Sequence, residues 1–172
     1  MQFEISNNVK VININFFMNT GYINIYNNLV ELTRNKVLYK DFKNQDTFSD
    51  RLIFFLLHFA FFLKVYKEGN DKVLLQEIYD YVFRQMELSV REIGYGDQSI
   101  NKRMKDYLNL FYGMIDKIDN WDDLDKEFKK DLLTVFLDNT VNTDYLVEYF
   151  DRYEQFLLNN TLNLHIKGVL KH

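Results

Sequence analysis

Twelve consecutive residues, Leu52 to Leu63, are apolar at every position except His58, and Arg51 and Lys64 close the run at its two ends. A helix that is apolar all round has no face to give to water and must be wrapped by other elements or by lipid. As a helix this run is about 18 Å long, well short of a hydrocarbon core of roughly 30 Å. The run therefore predicts a central helix of a soluble core. The remaining chain must supply the apolar faces that cover it.

The flanking segments carry such faces at helical spacing. Tyr26, Leu29, Val30, Val37 and Leu38 predict a first helix over about 23–40, followed by the polar stretch Lys43 to Asp46. The central helix then starts at Ser49 or Asp50 as its cap and runs to about Lys67, where Gly69-Asn70-Asp71 stops it. Leu74, Ile78, Val82, Met86 and Val90 predict a third helix over about 72–93, and Gly94 fits the left-handed residue past its end. Asp97 or Ser99 is the expected cap of the fourth, whose stripe is Ile100, Met104, Tyr107, Leu108, Phe111, Ile115 and Ile118. Acids between Asn120 and Asp125 open the fifth, with Leu124, Phe128, Leu132 and Phe136 as its inner face. Asn142 or Thr143 starts the sixth, which carries Tyr145, Leu146, Tyr149, Phe150, Tyr153, Phe156 and Leu157.

The fold expected from this pattern is all-α, one compact bundle of about six helices over residues 23–172. Residues 1–22 form an extension of a different kind. Val9 to Met18 partly alternate in the strand period but have no second strand to pair with, which predicts a short irregular or strand-like arm. A chain of 172 residues is long enough for one self-sufficient core.

Composition narrows the function. The net charge of −4 argues against DNA as a partner, because phosphate binding needs a basic surface. Without cysteine there is no disulfide, no thiolate metal site and no thiol nucleophile. Proline is absent too, and Asn, Lys, Ile, Phe and Tyr are abundant, a pattern of AT-rich coding. The 16 Phe and 12 Tyr are therefore read as core filling and not as a functional signal. No basic leader precedes an apolar run, which points to the cytoplasm.

Candidate chemistry is sparse. His58, His165 and His172 fall in no Glu-x-x-His pair and no i,i+4 His pair, so neither a metal nor another cofactor is expected. Asp122-Asp123-Leu124-Asp125 resembles the acidic magnesium motif of helical prenyl-diphosphate enzymes, yet acids at a helix entry need no such explanation. Gly94-Tyr95-Gly96 lacks the third glycine and the preceding strand of a dinucleotide loop. It reads as a turn between helices. His58, the lone polar residue of the apolar run, is expected to be buried and hydrogen-bonded to a Tyr, an Asp or a backbone carbonyl.

One stretch resists a purely structural account. Lys102, Arg103 and Lys105 lie near the positive start of the fourth helix, where the dipole disfavours cations by about 0.3–1 kcal/mol each. Lys64 and Arg91 are expected to lie close to them. Lys102 and Lys105 share a face, and Arg103 joins them by proximity.

Here the residues resemble the ubiquinol–cytochrome c chaperone family, the assembly factors of respiratory complex III. The resemblance rests on Arg91-Glu92, Gly94, Gly96-Asp97, Lys102, Lys105 and Phe111-Tyr112-Gly113. Asp46-Thr47, Arg51, Leu57-His58, Tyr26 and Arg34 extend it over roughly 24–160. Met114 stands where the family usually has Arg, and Asn35 and Gln45 stand near family prolines. The resemblance implies a non-enzymatic, α-helical assembly chaperone for newly made cytochrome b, with no cofactor. The ribosome is a second implied partner, and a peripheral contact at the cytoplasmic face of the inner membrane is the implied location. The candidate partner-binding residues are Arg91, Glu92, Asp97, Lys102, Arg103, Lys105 and Tyr112. Gly94 and Gly96 set the turn, and Gly113 is expected to permit close helix approach. The alternative from the residues alone is a hydrophobic-ligand carrier or small helical enzyme that uses His58 or the 122–125 acids toward haem or a prenyl group.

Overall fold

The computed structural model describes residues 21–42, 47–69, 72–137 and 143–169. The expected strand-like arm, Val9 to Met18, lies outside them. Among the described residues the regular structure is all helical. The elements are α1 (21–32), a 3-10 turn Lys36–Tyr39, α2 (Phe48–Tyr66), α3 (Lys72–Glu92), α4 (Asp97–Ile118), a 3-10 turn Trp121–Asp123, α5 (Lys126–Phe136), α6 (Asp144–Leu158) and α7 (Leu162–Ile166).

α2 is the axis of the bundle. Every residue from Phe54 to Phe62 is buried, His58 included. Its faces meet different neighbours, as a helix apolar all round requires. Phe54 packs edge-on against Tyr39 of the 3-10 turn at 5.3 Å between ring centroids. Phe55 meets Tyr26 of α1. Phe59 stacks on Phe111 of α4 at 5.3 Å and lies beside Tyr79 and Phe83 of α3. Phe61 stacks on Phe150 of α6 at 5.0 Å and meets the edge of Trp121 at 5.1 Å. Phe62 reaches His165 of α7. Offset and edge-on ring pairs of this kind add about 0.5–1.5 kcal/mol each beyond their buried area.

Several ends differ from the sequence reading. α2 is capped by Thr47, not by Ser49 or Asp50. Thr47 Oγ1 accepts from the Asp50 N–H at 3.2 Å while the Asp50 carboxylate accepts from the Thr47 N–H at 3.2 Å, a reciprocal box. The first helix stops at residue 32, because Thr33 and Arg34 enter a turn and the Asn35 side chain accepts from the Val37 N–H to start a 3-10 turn. Asp97 is the first residue of α4 and not its cap; Gly96 takes the cap position and supplies no side chain. Thr143 precedes α6, as expected. Phe128, expected on the inner face of α5, is 62% exposed, and Leu133 takes its place in the core. Met114, absent from the expected stripe, is fully buried.

α7 has no counterpart in the sequence-based expectation of about six helices, and brings the α-helices among the described residues to seven. Its five residues are too few for periodicity to reveal. The available signal was Thr161 before Leu162 and Gly168 after Ile166, where Gly168 adopts φ 66°. α7 docks on α1 through close contact: a Cβ on Gly21 would lie 2.5 Å from Ile166 Cγ2. The Asn24 amide donates to the Ile166 carbonyl at 3.0 Å.

Tyrosine hydroxyls tie the bundle together at its polar points. Tyr66 donates to the carbonyls of Leu157 and Asn160, both at 3.0 Å, and is 2.8 Å from His165 Nε2. Tyr145 of α6 donates to the Leu38 carbonyl at 3.0 Å. Burial pushes Tyr66, Tyr145 and Tyr149 up to about 12. A folded-state pKa above the unfolded value of 10 contributes stability that is whole below pH 10 and is lost as pH rises through the folded value. Stability should therefore fall steeply between pH 10 and 12. Denaturant melts across that window will check this, and Tyr66→Phe, although weaker at pH 7, should show a shallower alkaline slope.

Candidate functional site

Two regions near the candidate residues carry polar or apolar surface beyond what packing uses. The first is a groove formed by α1, the first turns of α2 and the last turns of α3. It encloses about 240 Å³ and is walled by Tyr26, Val30, Phe48, Leu52, Phe55, Met86 and Val90. Thr33, Arg51 and Ser89 give its polar points. The apolar character follows from local sequence: Met86 and Val90 are one helical turn apart on α3, and Phe48 is the first residue after the Thr47 cap. Phe48 is 44% exposed, so the groove opens to solvent with an aromatic at its lip. The hydroxyls of Tyr26 and Ser89 meet at 3.0 Å and hold α1 to α3 across it.

The second region is the α3–α4 turn, which begins three residues beyond Val90 of that groove. Gly94 sits at φ 95°, in the left-handed region that lets α3 end abruptly. Arg91 bridges the turn: its guanidinium donates to Glu87 one turn back, at 2.7 Å, and to Asp97 at the head of α4, at 2.6 Å. These two hydrogen bonds raise its pKa. Arg91 and Asp97 are thus committed to each other. The Arg103 guanidinium lies over the Tyr95 ring, 4.0 Å from its centroid, and ties α4 back to the turn. Lys102, Lys105 and Glu92 are exposed and make no ion pair among the described residues. Tyr112 is 56% exposed on α4, its hydroxyl 2.8 Å from that of Tyr79. Gly113 does not serve a close approach, because a Cβ there would meet nothing within 4 Å.

Lys64 belongs to neither set. It sits at the far end of α2, beside Asp122, while Lys102 lies in the second turn of α4; about 24 Å of helix separates Lys102 from Ile118. The Lys64 ammonium is nearly buried between Glu154 of α6 and Asp122 of the 3-10 turn, 2.5 Å from the latter. Lys67 makes a parallel pair with Asp119. Burial alone would lower the Lys64 pKa, but hydrogen bonds to Asp122 and Glu154 outweigh it and raise it. The Lys64 hydrogen bond lowers the Asp122 carboxyl, whereas burial drives Glu154 up. Two of the 122–125 acids accordingly have separate structural roles. Asp122 neutralises Lys64, and Asp125 caps α5 by accepting from the Phe128 N–H at 3.0 Å.

His58 is fully buried. Its Nδ1 is 2.6 Å from the Phe54 carbonyl, one turn back, and donates to it. Its Nε2 then accepts from the Tyr149 hydroxyl at 2.8 Å. With both ring nitrogens engaged and three aromatic rings around it, His58 does not project into a ligand cavity. That does not fit axial ligation of haem. Among the described residues no cluster of three or more His, Cys, Asp or Glu is placed to hold a metal ion. None of their helices is long and apolar enough to cross a membrane. The turn and His58 are legible in the sequence; the Lys64–Asp122–Glu154 trio and the groove with Phe48 at its lip are not, because each joins segments far apart in the chain.

Against known proteins, the sequence model of the family described as ubiquinol-cytochrome C chaperone matches residues 40–152. No curated protein sequence matches. Among solved structures the fold is similar to that of the Cbp3 homolog from Brucella abortus, with a TM-score of 0.73 and 23% identity, over 100% of this chain and 96% of that one.

Lys64→Met would leave the Glu154 carboxyl buried without its cation and should cost about 3 kcal/mol. Glu154→Gln keeps an acceptor for Lys64 and should cost less. The sign of the pH effect is also set. Because Lys64 is raised, its contribution is whole below pH 10.5 and fades as pH rises through the folded value. Denaturant melts at pH 7 and pH 11 should show the gap between wild type and Lys64→Met narrowing at the higher pH.

Proposed function

Because the chain belongs to the ubiquinol–cytochrome c chaperone family, we propose that it is a non-enzymatic assembly chaperone that binds newly made cytochrome b and promotes its entry into the cytochrome bc1 complex. The family match over the region from the 3-10 turn to α6 carries this reading. The open groove of α1, α2 and α3 supports it on physical grounds. Cytochrome b is a client of long apolar helices that aggregate in water, and an aromatic- and Met-lined groove suits such a helix in the helix-in-groove mode. The client contact is then with the groove, and the chaperone works at the cytoplasmic face of the inner membrane, where the client is inserted.

Lys102 and Lys105 are the candidate charged rim, with Arg103, Glu92 and Tyr112 beside them. Charges at a rim set orientation and association rate more than affinity. They would meet either an acidic segment of the client or the ribosome that makes it. Arg91 and Asp97 act differently in this reading: they hold the turn on which the rim stands.

Deletion of the gene should lower both cytochrome b and bc1 activity, read by haem spectra and quinol oxidation; unchanged levels would overturn the assignment. Lys102→Glu/Lys105→Glu should not destabilise the fold, since both side chains are exposed and acids suit the start of a helix better than cations do. It should slow capture of the client or of ribosomes in co-sedimentation, with the loss greatest at low salt. Normal bc1 assembly with this variant would remove the basic rim from the mechanism.

A further inference from the structure

A second groove lies on the other side of the bundle, between the end of α4 and the outer face of α5. It encloses about 420 Å³. Phe128 and Val135 stand along it at 62% and 63% exposed, and Leu124 and Leu132 form its floor. Residues 124, 128, 131, 132 and 135 share one stripe of α5 and its entry. The eight residues from Phe128 to Val135 cover about 10 Å, two helical turns.

Charge is sorted across α5. Its three lysines all turn to the opposite side. Lys126 reaches Asp144 and Glu148 at 3.6 Å, Lys129 reaches Asp151 at 2.8 Å, and Lys130 reaches Asp144 at 3.3 Å and Glu127 on its own helix. The groove side keeps Asp131 from α5 and Asp116 from α4, with Lys117 as its one cation among the described residues. Asp116 and Asp131 make no ion pair among the described residues. Packing of α5 on α6 does not need these acids, and Phe128 and Val135 leave an apolar stripe open to solvent beside them.

We propose that the α4–α5 groove docks a basic amphipathic helix of a partner protein. Its apolar residues, spaced i, i+4 and i+7, lie against Phe128, Leu132 and Val135, and its Lys or Arg side chains meet Asp116 and Asp131. The site is separate from the α1–α3 groove, so one partner and an apolar client are held at the same time. The inference does not rest on the identity of the client.

The test uses the full chain and two labelled 18-residue helical peptides with the same leucine stripe, one carrying lysine and the other glutamate, at low salt. Fluorescence anisotropy should show binding of the lysine peptide alone. Binding should weaken at least tenfold in Phe128→Ser/Val135→Ser, whose side chains are exposed, and also in Asp116→Lys/Asp131→Lys, which should in turn accept the glutamate peptide. Phe48→Ser, in the other groove, should leave binding unchanged, and hydrogen exchange should slow across residues 116–135 on binding. Equal binding of both peptides by the wild type, undiminished binding by both double variants, or a loss confined to Phe48→Ser would overturn the proposal. So would a self-associated wild type that Phe128→Ser/Val135→Ser makes monomeric, since a second copy would then be the occupant.

Discussion

The burial of α2 on all sides is the constraint from which the rest of the bundle follows. A helix with nine consecutive buried residues leaves no stripe for solvent, so helices must surround it. Phenylalanine sets the spacing. Phe55, Phe59, Phe61 and Phe62 each meet an aromatic ring from a different element. Aromatic pairs of this size need ring centroids about 4.5–7 Å apart, so the neighbours are positioned as well as attracted. His58 is the single polar interruption, and its two hydrogen bonds remove the cost that an unpaired ring would carry.

Charge completes what apolar packing begins. At the end of α2, the chain turns from buried rings to Lys64 and Lys67, and acids from the α4–α5 link and α6 close around them. The lysines of α5 are drawn to α6 in the same way. Internal pairing on these faces leaves Lys102 and Lys105 of the α4 start and Asp116 and Asp131 of the α4–α5 groove without an ion pair among the described residues. The two faces have opposite sign and lie at opposite ends of α4. A protein that handles a client and a partner together gains from such separation, since each surface repels what the other attracts.

Much of this was legible in the chain. The apolar run announced α2, the 3.6-residue stripes announced α3, α4 and α6, and Gly94 marked the end of α3. The turn residues Arg91, Gly94, Gly96 and Asp97 were found by their order alone, although Asp97 proved to be a salt-bridge partner of Arg91 and not a cap. Other features left no local mark. The five residues of α7 are too short for a period. Phe128 follows the apolar spacing of α5 as well as Leu132 does, yet one is exposed and the other buried, because α6 covers only part of that face.

The sequence by itself determined that this chain is a helical bundle built around residues 52–63, with a glycine turn after the third helix and the family features that accompany it. Those properties depend on the chain's local order: spacing, caps and the absence of polar residues over a span. Only the tertiary structure decided which apolar residues are core and which form grooves, and which charges are neutralised and which face outward. Lys64 and Glu154 are ninety positions apart, and Asp122, which shares the same lysine, comes from a third segment between them. Such pairings depend on which helices become neighbours, and this is fixed by the packing of whole faces and not by any short segment.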